Sequence, residues 1–112
     1  MRHTKEERRQ LRQLQEKLNA KEDEISRLIA ADLGYGDPAQ ITDDKRRAAL
    51  ADDVDAVIER WEVDVEVSDN PPTSTEELTP LQATLFERTL ISDEIGAINM
   101  AAAERFAKRR NL

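Results

Sequence analysis

The residues best suited to chemistry are few and poorly matched to one another. The densest carboxylate cluster is Asp52, Asp53 and Asp55, which would collect a divalent cation if its oxygens converged. Adjacent helical positions point in different directions, and neither a glycine-bearing calcium loop nor a Glu-x-x-His motif accompanies them. The expectation is an acidic helix face open to solvent, with no metal. The single histidine, His3, stands near the start of the chain, so a histidine-based triad or a histidine-rich metal centre has no material. Cysteine is absent, which removes disulfides, thiolate catalysis and Cys-ligated zinc. Gly34, Tyr35 and Gly36 do not form a nucleotide loop, because no strand precedes them and no third glycine follows. A non-enzymatic chain is expected, without a cofactor and with no small-molecule ligand indicated.

The basic residues offer a second kind of chemistry. Arg8, Arg9 and Arg12 form one tract and Lys108, Arg109 and Arg110 another, and clustered cations release counterions from nucleic-acid phosphates. Neither tract is interleaved with aromatics. The net charge of −7 is unevenly spread. Residues 1–21 carry seven Lys and Arg against three Glu, residues 100–112 carry four against one, and the middle is left with a net −14. Basic ends and an acidic middle suggest ends that fold back onto the middle, or onto the middle of a second copy. The plainer reading is solvated helix faces.

Positioning falls to helices. Thr4 followed by Glu7 is a capping box, in which each side chain satisfies an orphan N–H at a helix start. Leu11, Leu14, Leu18, Ile25 and Leu28 then alternate at three- and four-residue spacing, the a/d pattern of a coiled-coil seam. Lys21 is the one break in this seam, at a position where the heptad expects an apolar residue; it either sets the register or sends its long stem out to solvent. Gly34, Gly36 and Asp37-Pro38 end this helix and start a short connector, with Tyr35 covering the end of a helical hairpin. Residues 42–62 form the second helix, started by Thr42. Leu50, Val54, Val57, Ile58 and Trp61 make its apolar face, and Trp61 anchors it.

Beyond Trp61 the pattern changes. Val63, Val65 and Val67 alternate with Asp64 and Glu66, which reads as a short extended strand. It would pair with the same strand of another copy, pair with the sheet edge of a partner, or be the frayed end of the helix. Asn70-Pro71-Pro72 and the Ser and Thr residues after it mark residues 68–79 as a linker. Thr79, Pro80 and Gln82 signal the start of a third helix. Its stripe includes Leu81, Leu85, Ile91, Ile95, Ile98, Ala102 and Phe106, with Ser92-Asp93 or Gly96 as possible kinks.

The expected fold is all-α: a long antiparallel helical hairpin with a short extended tail (residues 1–67), an extended acidic Pro-containing linker (68–79), and a long C-terminal helix (80–112) packed on the hairpin or on a neighbouring copy. With 37% charged residues, 38% hydrophobic residues rich in Ala, and four aromatics, the core is thin, and an oligomer or partner would complete it. No apolar run is long enough for a membrane span and no signal-peptide pattern follows the charged start, so a cytoplasmic protein without a membrane partner is expected.

Function follows as a protein-protein interaction module, a small adaptor or an assembly subunit. Leu11, Leu14, Leu18, Ile25 and Leu28 would form a contact seam and Trp61 the hairpin anchor. Val63, Val65, Val67, Ile91, Ile95, Ile98 and Phe106 are the partner-binding candidates. The alternative is a regulator acting on nucleic acid or its machinery through the two basic tracts.

Overall fold

The computed structural model describes residues 3–110, so Arg2, one of the N-terminal cations, lies outside the described residues. Three helices, α1 (Lys5–Leu33), α2 (Asp44–Val67) and α3 (Pro80–Arg110), are joined by a 3₁₀ turn (Pro38–Gln40) and an irregular linker over residues 68–79. The fold is all-α, with no strand among the described residues.

The helix ends follow local chemistry. Thr4 Oγ1 accepts from the Glu7 N–H at 3.0 Å, and Glu7 Oε1 accepts from the Thr4 N–H at 2.8 Å. Gly34 closes α1 at φ 80°, a left-handed conformation that glycine adopts without a Cβ penalty, and its N–H donates to the Ala30 carbonyl. Asp43, not Thr42, caps α2, accepting from the Lys45 N–H at 2.9 Å. Thr79 and Gln82 cap α3 reciprocally at 3.2 and 3.1 Å. From Pro80 the helix continues without a break past Ser92, Asp93 and Gly96.

Residues 63–67 are not a strand. They are the last turns of α2, and the physical reason is cooperativity. Extending an existing helix adds a backbone hydrogen bond with each residue fixed, which outweighs the few tenths of a kcal/mol that each valine costs in a helix. A lone strand has no neighbour with which to share its ladder. Continued helical spacing also keeps Val65 on the face of Ile58 and Trp61 while Val63 and Val67 point outward, and both of these are exposed.

α1 is the spine. Its most extensive contact is with α3, and its contact with α2 is smaller. Glu7 near the start of α1 meets Arg105 near the end of α3, while Glu22 meets Arg88, so the two helices are antiparallel. Tyr35, just past the end of α1, meets Asp53, and Glu22 lies beside Ile58 and Glu62. α2 is therefore also antiparallel to α1, and α2 and α3 run the same way. The linker must return the chain along the length of α2.

The core sits at one end of this arrangement. Ile25, Ile29 and Ala30 of α1, Ile41 of the connector, Leu50 of α2 and Leu85 of α3 are buried together, with Tyr35, Val54, Val57, Ile58, Trp61 and Leu81 packed around them. Elsewhere along α1 and α3 only Leu14 and Ala102 are buried apolar side chains. The molecule measures 57 × 38 × 20 Å.

Candidate interaction surface

The seam residues of α1 face α3 of the same chain. Leu14 and Ile25 are buried, and Leu11, Leu18 and Leu28 are partly covered. Their counterparts Ile91, Ile95 and Ile98 are also partly covered. Lys21, whose side chain keeps 28% of its surface exposed, forms ion pairs with Glu87 across the seam and with Glu24 at 4.0 Å. A cation opposite a carboxylate in an otherwise apolar seam favours one register of α1 against α3, the role polar seam residues take in helix pairs.

Arg88 fastens all three helices. Its guanidinium lies 3.3 Å from Glu22 of α1 and 3.3 Å from Glu62 of α2, and its side chain is mostly covered. Beside it opens a groove between the C-terminal turns of α2 and the middle of α3, lined by Trp61, Glu62, Val65 and Glu66 on one wall and Arg88, Thr89, Ser92 and Asp93 on the other. The groove has an apolar floor and acidic rims. Among the described residues, neither Glu66 nor Asp93 takes part in an ion pair.

Past this groove α2 ends and α1 and α3 continue as a two-helix arm. At the arm's tip Arg105 grips Glu7 with both terminal guanidinium nitrogens, one of them at 3.0 Å. That contact, helped by the Thr4 N–H, pulls the Glu7 carboxyl down to about 2, and the same pair raises Arg105. His3 Nε2 donates to Asn99 Oδ1 at 2.8 Å. The antiparallel pairing thus brings Arg8, Arg9 and Arg12 of α1 to the same end as Lys108, Arg109 and Arg110 of α3, two tracts far apart in sequence. The Arg110 guanidinium lies 5.9 Å from the centre of the Phe106 ring, within reach of a cation–π attraction.

The acidic cluster of α2 serves the hairpin connector. Tyr35 donates its hydroxyl to Asp53 at 2.8 Å, which raises the phenol's pKa above its ordinary value. Arg46 stacks 4.7 Å from the Tyr35 ring and donates to the Gly34 carbonyl at 3.2 Å. Asp52 also acts on the Tyr35 phenol, whereas Asp55 lines a separate surface with Glu22, Ile58 and Glu59, and no group of three or more His, Asp or Glu among the described residues is placed to hold a metal ion.

Exposure singles out apolar residues that periodicity alone did not. Leu90 and Met100 of α3 are exposed together with Phe106, Val63 and Val67. The signal for Met100 was present as a second helical stripe through Ser92, Gly96, Ala103 and Phe106, but its meaning depended on knowing where α2 stops. No helix of the described residues is long and apolar enough to cross a membrane. No known protein family, curated protein or solved structure matches the chain.

Proposed function

We propose that this chain is a non-enzymatic protein-protein interaction module, acting as a small adaptor or assembly subunit in a homo-oligomer or a larger complex. One observation carries the reading. α2 covers only one end of the α1/α3 pair, and large apolar side chains remain exposed where it stops, among them Val67 at 73% and Met100 at 65%. Scattered exposed apolar residues need no explanation, but these adjoin a thin two-helix arm whose own seam is only partly covered. A two-helix contact of this kind gains stability from a further surface laid against it.

The test is whether the chain forms a stoichiometric complex through those residues. Light scattering on the purified protein, together with mass analysis of complexes isolated from the source cells, should show an assembly that the double substitution Met100→Glu, Phe106→Glu abolishes while far-UV circular dichroism stays unchanged. A chain that is monomeric in both settings contradicts the reading.

The convergence of the two basic tracts at one tip favours a second reading, a regulator that contacts nucleic-acid phosphates there. It differs in its salt response. Phosphate binding weakens steeply as salt rises, with a log–log slope of roughly −0.9 per phosphate neutralised on duplex DNA, whereas burial of apolar side chains does not weaken in this way. A fluorescence-anisotropy titration of a short duplex at two salt concentrations separates them.

A further inference from the structure

The face of α3 that packs on α2 does not stop where α2 does. Ser92, Gly96, Met100, Ala103, Phe106 and Arg110 follow one another at three- and four-residue spacing, the spacing of a single helix face, and Ser92 is the member that lines the groove beneath α2. Beyond it the face is bare. A Cβ placed on Gly96 would meet open space, Ala103 is exposed, and Met100 and Phe106 are 65% and 43% exposed. Small residues interleaved with Met and Phe allow another helix to approach closely and still bury area.

The two ends of this face are complementary in charge. At the near end is the groove, with Trp61 and Val65 in its floor and the unpaired carboxylates Glu66 and Asp93 on its rims. At the far end is an exposed ring, Phe106, with Arg110 stacked on it and Arg109 beside it. An aromatic plug flanked by cations fits an apolar groove flanked by carboxylates. Within one molecule they cannot meet, since Asp93 and Phe106 are 13 residues apart on one rigid helix, about 20 Å at 1.5 Å per residue.

We propose that the uncovered face over residues 96–110, with the groove at its near end, docks a second copy of this chain lying antiparallel, so that Phe106 and Arg110 of each copy enter the groove of the other. The arrangement closes on itself. A two-fold axis midway between Asp93 and Phe106 falls beside Met100, the most exposed large apolar residue of α3, and places both plugs at both grooves at once, as an isologous dimer requires. The two arms then form a four-helix bundle, each covering the bare side of the other. The inference rests on the interaction-module reading and names its partner.

Reciprocal charge reversal tests it. In E66R/D93R both tip and groove are cationic, and in R109E/R110E both are anionic. All four positions are exposed, so circular dichroism should match wild type. Light scattering over a concentration series should give a wild-type dimer, each variant alone should dissociate with a constant raised at least about 100-fold by like-charge contact, and an equimolar mixture of the two variants should recover the dimer. Variants that dimerise as wild type does, or a mixture that stays monomeric, overturn the tip-in-groove docking while leaving self-association through another surface intact. A monomeric wild type also overturns it. In that case a source-cell protein released by E66R/D93R assigns the groove to a foreign segment, and salt-sensitive duplex binding lost in R109E/R110E assigns the tip to phosphate.

Discussion

The two ends of the α1/α3 pair are built differently. At the end beside Gly34, α2 lies across both helices and Ile25 is fully buried among residues from every helix. At the other end two helices stand alone, Leu14 keeps 9% of its surface exposed, and the closing contacts are an ion pair between Glu7 and Arg105 and a hydrogen bond between His3 and Asn99. One end is held by a three-helix apolar core and the other by a narrow two-helix seam around Leu14 and Ala102, closed at its tip by charge. The difference shows where the stability of the monomer resides and which part has surface left to offer.

The largest effect should come from the three-helix end. Ile25→Ala removes methyl and methylene groups from a site with no solvent contact and should cost about 3–4 kcal/mol in denaturant unfolding, the middle of the range for such truncations. Leu14→Ala on the arm should cost less, about 2 kcal/mol, because a two-helix contact can collapse or admit water around the gap. Equal costs would erase the distinction between the ends.

The contrast sharpens with charge. Arg88→Ala leaves Glu22 and Glu62 without their shared partner at the point where the three helices meet. Both carboxylates are about half exposed, so the loss should be about 1 kcal/mol, read from thermal melts. At the arm tip the effect is set by pH. Glu7 titrates near 4.5 when unfolded and near 2 when folded, so the unfolded chain takes up the proton first as pH falls. The contribution of Glu7 is fully present above about pH 4.5 and is lost as pH drops toward about 2. The stability difference between wild type and Glu7→Gln should therefore shrink across that window, with the protection factors of amides in residues 5–14, taken against the intrinsic exchange rate at each pH, falling in the acid.

Much of this architecture was legible in the sequence because it is local. Thr4 with Glu7, Gly34, and Thr79 with Gln82 place helix ends through hydrogen bonds to neighbours within a few residues, and the seam from Leu11 to Leu28 announces a long helix contact by spacing alone. Two things were not local. The α1 seam does not state which helix it faces; α2 comes next in sequence, yet α3, being of nearly equal length, matches the whole seam. Residues 63–67 carry a period-two pattern, and only the helix already running through Trp61 decides their conformation. The site was harder still. The Trp61 groove, the meeting of the two basic tracts and the bare stripe through Met100 all depend on how far α2 reaches along α3, which no spacing within one helix encodes.

The most direct test of the unequal ends, and of the arm as the surface left to be covered, is amide hydrogen exchange followed by mass spectrometry over a range of protein concentrations. The account predicts strong protection around residues 25–30, 50–58 and 81–88 at every concentration, with protection of residues 5–18 and 96–110 weak when dilute and rising as the protein is concentrated. Arm amides as protected as the core at the lowest concentration would contradict it.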